Sequence, residues 1–250
     1  MQLYPRFAGE LEREASKIPG VYYLQCPVFG PPPVAQDAQL VFVLSGEYRA
    51  KKRVEQFIVP ALARKVIDVG SNVERAASFK LCGNLVTLGI IEVLAESMTL
   101  ADKTGVTSAT LLEFVTECLP AGPAISYGSK IRNNDFQGDT GFTVEGGLKD
   151  ANHLRHLAAE HDCIIPTVDR AHSNLITARA MGGGSLDWSS LVAGPRLAAG
   201  LSPFTGLKAG QVRDDGFGSK QDDGEGVSVP VKSGPIVTVN SWEVKKVKSG

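Results

Sequence analysis

The sequence predicts a short α/β segment followed by an all-helical domain. Up to about residue 70, apolar β-prone runs alternate with amphipathic helical patterns. From Val73 the character changes. About thirty residues follow without a proline, rich in Ala, Leu and Glu, and three further helical patterns come after them.

Taken in order, residues 7–18 place Phe7, Leu11, Ala15 and Ile18 at helical spacing among charges, and Pro19-Gly20 stops that pattern. VYYLQCPVF (21–29) and AQLVFVLSG (38–46) read as two strands joined by a stiff loop of Gly30 and three prolines. A helix with Val54, Phe57, Ile58 and Ala61 on its apolar face is expected over 47–63, and a short strand at VIDVG, 66–70. The proline-free helix should run from about 73 to Gly105, a residue suited to a helix stop. Thr107-Ser108 caps a helix ending near 119, residues 143–162 carry another, and Pro166 opens a third that reaches 181. Gly, Asp and Lys dominate from Gly206 to Gly226, so 205–250 reads as a flexible tail. Its β-prone VSVPV and PIVTVNSWEV gain no docking from a glycine-rich spacer.

With 250 residues, 43% of them hydrophobic, the chain can bury a sizeable core. Its 26 basic and 27 acidic side chains leave a net charge of −1, which gives no general pull toward nucleic acid or anionic membrane. Glu92 and Glu96 interrupt the most apolar stretch, short of the ~18 apolar residues of a membrane helix. Cys26, Cys82, Cys118 and Cys163 show no C-x-x-C spacing; they read as reduced, buried small hydrophobes in a cytoplasmic protein. Met98 and the scattered aromatics read as core. His153 and His156 share a helix face, but with His161 and Glu160 they lack a further ligand spaced to complete a metal shell, so no metal is expected. Asp169 and His172 have no G-x-S-x-G nucleophile to serve.

The strongest chemical signal is Lys80 with Asn84. Four residues apart on the long helix, they lie on one face, flanked by the small pair Cys82-Gly83 that leaves room for an approaching molecule. A lysine in such an apolar neighbourhood loses charge stabilisation and moves toward the range of a general acid/base. From these residues alone the favoured reading is a lysine that snorkels at the helix edge.

ERAASFKLCGN (74–84) resembles the G-x-G-x-x-x-K-x-x-x-N signature of the β-hydroxyacid dehydrogenases, the superfamily of 3-hydroxyisobutyrate and 6-phosphogluconate dehydrogenases, with Glu74 and Ala76 in place of the two glycines. Further segments match in order. QCPVFG (25–30) is similar to D-A-P-V-S-G, LAESMTLADKTGV (94–106) to A-E-A-x-x-L-A-x-K-x-G-L, Phe142 with LKD (148–150) to F-x-x-x-L-x-x-K-D-L, and DWSSLV (187–192) to a terminal D-[FW]-S segment.

The resemblance implies that residues 1–72 are the C-terminal part, a remnant, of a Rossmann-like NAD(P)-binding domain, and that 73–204 form a helical domain like the C-terminal one of 6-phosphogluconate dehydrogenase. It implies Lys80 as general acid/base, Gly30 and Asn84 as substrate-binding residues, Lys149 and Asp150 near an NADP or NAD cofactor, a small-molecule substrate and a homodimer. Separating hydride from proton requires a titratable group beside the carbinol oxygen, while the cofactor carries the redox chemistry.

The departures matter as well. No G-x-G-x-x-G phosphate fingerprint occurs. MGGGSLD (181–187) follows a helical pattern, and GPAISYGSK (122–130) has the wrong spacing for a phosphate loop. MQLYP (1–5) is similar to the family's S-T-V-x-P, which leads to the expectation that about one hundred residues of nucleotide-binding domain are absent. Phe29 and Pro31 replace a serine and a glycine, removing a hydroxyl and a backbone N–H that would meet a carboxylate. That widens the expected substrate to a bulkier or less anionic carbonyl compound, or an imine. The competing expectation is a catalytically inactive helical dimerisation module derived from such an enzyme.

Overall fold

The computed structural model of the chain describes residues 3–138 and 141–204. The expected tail, 205–250, lies outside the described residues. After helix α1 (Pro5–Ser16) come strands β1 (Leu24–Gln25) and β2 (Val28–Phe29), helix α2 (Pro32–Gln36), strand β3 (Leu40–Gly46), helix α3 (Tyr48–Ile58) and strand β4 (Ala63–Asp68). The helical region holds α4 (Glu74–Thr104), α5 (Ser108–Cys118), α6 (Gly122–Asn133), α7 (Val144–Glu160), α8 (Pro166–Ala178) and α9 (Ala193–Ala198).

β3 is the centre of the sheet. β1 and β2 pair antiparallel with it in one continuous register, Leu24 with Gly46 and Phe29 with Val41. They are the two ends of the strand expected over 21–29, parted at Cys26-Pro27. Pro27 has no N–H for the ladder, although its carbonyl still accepts from Val43 N at 2.9 Å. β4 runs parallel to β3, with α3 as the crossover. The almost fully buried Lys51 of α3 closes this unit, donating to Asp68 Oδ1 at 2.5 Å and Gly70 O at 3.0 Å.

Several expectations need correction. The proline loop is not structureless: Pro32 occupies a first-turn position and opens the one-turn helix α2. α3 ends at Ile58, before Val59-Pro60, and β4 begins at Ala63 rather than 66. The stripe of Phe7, Leu11 and Ile18 faces outward, as do Val54 and Phe57; α1 instead buries Pro5 and Ala8. Gly9 of α1 faces the carboxyl end of Glu74 at the start of α4. Residues 122–133, assigned no helix above, form α6. Gly128, the residue that weakens its helical pattern, is where α6 meets Leu112 and Met98: a Cβ at that position would lie 2.8 Å from Leu112 Cδ1.

The cysteines are free, but Cys82, Cys118 and Cys163 are exposed and Cys26 is half-buried. Their places explain it: Cys82 is on the outer face of α4, Cys118 ends α5, and Cys163 follows α7. Among the aromatics, Phe136 and Trp188 join Met98 in the core, whereas Tyr22, Tyr48, Phe57 and Phe114 do not.

α4 is the axis of the helical region, capped by Gly105 in the left-handed conformation. Its Leu81, Leu88, Ile91, Ala95 and Met98 pack with Ile131 of α6, Leu148 of α7, Leu175 of α8 and Leu191. Among the described residues α4 alone is long and apolar enough to cross a membrane, by length and composition. Its inward side is nonetheless the core of this region. Thr107 and Thr143 accept hydrogen bonds from Thr110 N and Gly146 N and so start α5 and α7.

Within that core Glu92 accepts from Asn174 Nδ2 of α8 at 2.5 Å, and its other oxygen has no hydrogen bond. Burial, aided by Glu96, raises its carboxyl to about 7. Charging Glu92 therefore costs stability as pH rises from about 4.5 through 7, and nothing below that window. Glu92→Gln is expected to be near neutral at pH 4.5 and to stabilise by up to about 3 kcal/mol at pH 8.5. Urea unfolding at the two pH values measures the difference; equal effects at both would contradict it.

Candidate active site

Two helices bring the site together. Lys80 and Asn84 lie one turn apart on α4, and Lys149 and Asp150 lie in the first half of α7. Asn84 Nδ2 donates to Asp150 Oδ2 at 2.6 Å, and Lys149 Nζ pairs with Asp150 Oδ1 at 2.7 Å. Asp150 is only 2% exposed, so this carboxylate is a buried anion matched by one cation and one amide. It also acts electrostatically on Lys80, which it holds toward the charged form. Burial outweighs that pull, with Lys149 adding repulsion, and the Lys80 ammonium drops to about 8.

The third component is the turn after β2. Phe29 lays its ring beside Lys80, with Nζ 4.0 Å from the ring centroid. The ring rests on Gly83, where a Cβ would sit 2.4 Å from Phe29 Cζ, and meets Phe79 edge to face at 6.2 Å. Gly30 follows at φ +137, a conformation that favours glycine, and a Cβ on it would strike Leu40 and Val34. Gly30 is thus exposed at the turn that delivers Phe29, rather than itself placed against Lys80 by any contact.

Spacing along α7 brings His153 onto the face of Lys149 and Asp150, one turn on. Its Nδ1 is buried without a hydrogen bond, and burial with the nearby Lys149 charge lowers its pKa. Tyr4 packs against His153 and His156 and donates its hydroxyl to Glu160, which also pairs with His156 at 3.4 Å. These histidines therefore hold the N-terminal segment to α7 rather than forming a bare solvated edge. The sequence offers Phe29 only as a lost serine and His153 only as a helix-face histidine, and gives no sign of Tyr4. The i+4 relation of His153 to Lys149 was the available signal for one of them.

Against known proteins, residues 75–194 match the family model described as NAD-binding of NADP-dependent 3-hydroxyisobutyrate dehydrogenase. The match spans α4 to the start of α9 and so includes Lys80, Asn84, Lys149 and Asp150. Over that segment the chain is similar to the β-hydroxyacid dehydrogenases. An uncharacterized oxidoreductase of Bacillus subtilis is 27% identical over 173 residues, 69% of this chain and 60% of that protein. An NADH-dependent oxidoreductase of Aspergillus ustus is 24% identical over 202 residues, 80% of this chain and 67% of the relative. In three dimensions the fold is that of the 3-hydroxyisobutyrate dehydrogenase of Salmonella typhimurium, with a TM-score of 0.69 at 19% identity, covering 76% of this chain and 66% of that one. The chain thus spans about three fifths to two thirds of the length of these relatives.

These similarities imply a nicotinamide nucleotide, and the described residues fit it unevenly. The strand-to-helix turns into α3 and α4 carry an acid where a diphosphate would need backbone N–H groups, and the turn into the one-turn helix α2 carries prolines that have none. Glu47 caps α3 with its own carboxylate, accepting from Ala50 N at 2.7 Å, and Glu74 stands in the first turn of α4. No diphosphate cradle is present among the described residues. Lys80, Asn84, Lys149 and Asp150, by contrast, are brought together.

Proposed function

We propose that this chain carries the proton-transfer site of an NAD(P)-dependent oxidoreductase acting on a hydroxy, carbonyl or imine compound, with Lys80 as its general acid/base. One observation carries the reading: a half-buried lysine, lowered to about 8, stands between a buried Asn84–Asp150 pair and an aromatic ring. At neutral pH the ammonium donates a proton readily, and the free amine is populated enough to take one back. Asp150, held by Asn84 and Lys149, keeps the local field fixed as Lys80 changes charge. Nicotinamide supplies or accepts the hydride when bound. The exposed free thiols suit a reducing compartment, the cytoplasm.

We place a second copy of the chain on the outer face of α4. Phe79, Val86, Val93 and Leu100 recur there every seven residues and are exposed. Such a stripe is suited to a helix of a partner chain.

The acids at the turns into α3 and α4 favour one competing reading, an inactive helical dimerisation module. Titration of the purified chain with NADPH and NADH, followed by nicotinamide fluorescence, separates the two. Micromolar binding by a particle sedimenting at twice the chain mass is the expected result. Absence of binding up to millimolar nucleotide would leave the dimerisation module.

A further inference from the structure

We propose that Phe29 sets the substrate class of this site, as an aromatic wall beside Lys80 that turns away a carboxylate next to the reacting carbon and admits an uncharged compound with a flat apolar substituent. The inference rests on the oxidoreductase reading above and concerns which molecule the site accepts.

The ring is held on three sides. Phe79, Lys80 and Gly83 of α4 meet its edge, its face and its tip, and the absence of a side chain at Gly83 makes the seat. Behind it the backbone is locked. Gly30 is wedged so that a Cβ would lie 2.7 Å from Leu40 Cδ2 and 2.9 Å from Val34 Cγ1, and Pro31 has a fixed φ. The wall is therefore part of the fold and does not need a ligand to form it.

A carboxylate beside Lys80 would need donors, and the turn that carries Phe29 is poor in them. Neither the Phe29 ring nor Pro31 has an N–H to offer. The Asn84 amide and the Lys149 ammonium each make a contact to Asp150, which draws them toward that buried carboxylate. A carboxylate would also meet the negative face of Phe29 and the buried charge of Asp150, and burying it without partners is costly. A flat apolar group, in contrast, gains an edge-to-face partner in Phe29 or Phe79.

The test uses the full chain with its lysines dimethylated by ¹³C-formaldehyde, in the presence of NADP⁺, with the Lys80 resonance assigned by Lys80→Arg. Benzyl alcohol and 3-hydroxypropionate are the probes. Benzyl alcohol is expected to shift the Lys80 resonance at a concentration about tenfold lower than 3-hydroxypropionate, the equivalent of one aromatic contact. Phe29→Ser should abolish that preference. Phe29→Leu, which keeps an apolar wall, should still exclude 3-hydroxypropionate while weakening benzyl alcohol several-fold. An unchanged ratio in Phe29→Ser, or benzyl alcohol binding at wild-type strength in Phe29→Leu, overturns the role of Phe29 and leaves the oxidoreductase reading intact. If neither alcohol moves the Lys80 resonance in any of the folded proteins, both readings fall.

Discussion

Lys80→Met is expected to lower turnover of a carbonyl or alcohol substrate by about 10²–10⁴-fold, the range for removal of a positioned general acid/base, while nucleotide affinity changes by less than about twofold. Methionine keeps the length and the contact with Phe29 but exchanges no proton. The pH profile carries the same assignment with a sign. Burial puts Lys80 at about 8. Carbonyl reduction draws a proton from the ammonium, so its rate should fall as pH rises through about 8. Alcohol oxidation needs the free amine, so its rate should rise through the same value. Lys80→Arg, always charged, should lose both inflections along with most of the oxidation rate. A loss smaller than tenfold in Lys80→Met, or inflections that survive the substitution, would show that the proton goes elsewhere.

The pairing of Lys80 with Asn84 on one face is open to a reading of the sequence because helical periodicity is strict, while the role of Lys80 enters with the family resemblance. Lys80 and Asn84 share a face of any helix that contains both, and a proline-free stretch ending at Gly105 leaves little doubt that the helix exists. What periodicity does not contain is which helix lies opposite. The ion pair of Lys149 with Asp150 and the amide of Asn84 meet only because α7 packs on α4, a contact between residues 66 apart. Phe29 shows the same limit from another side. Its departure from the family serine was visible as a lost hydroxyl, yet its seat on Gly83 depends on how a strand ending at residue 29 meets a helix starting at 74.

Misread elements share a physical cause too. α6 was hidden by Gly122 and Gly128, and in a packed helix a glycine such as Gly128 records close approach rather than a break. The stripes of α1 and α3 are amphipathic by pattern, but the faces that pack are set by Ala8 in α1 and by Lys51 with Ile58 in α3, and of these hydrophobic periodicity selects Ile58 alone. The exposed cysteines likewise follow position along the elements and not residue type.

Asp187→Ala is expected to destabilise the helical region by about 3–5 kcal/mol, the range for removing one partner of a buried charged pair. Asp187 is fully buried and its two oxygens serve four donors. Oδ2 accepts from Lys130 Nζ of α6 at 2.7 Å and from Phe142 N at 3.2 Å. Oδ1 accepts from Ser189 N at 3.0 Å and from the Ser189 hydroxyl at 2.5 Å. One carboxylate therefore joins the end of α6, the entry to α7 and the turn Trp188–Val192, and Gly141 leaves it room, because a Cβ there would fall 2.0 Å from Oδ2. Alanine strands a largely buried lysine and two backbone N–H groups, and relaxation of Gly141 does not replace them. Asp187→Asn keeps an acceptor for Ser189 but loses the charge facing Lys130, so about 1–3 kcal/mol is expected. Urea unfolding of Asp187→Ala, Lys130→Met and the double variant gives the coupling directly. If the network acts as described, the double variant is less destabilised than the sum of the two by well over 0.5 kcal/mol. Additive losses would mean that Asp187 works through the Ser189 turn alone, and that α6 is held by Gly128 and its apolar neighbours without the ion pair.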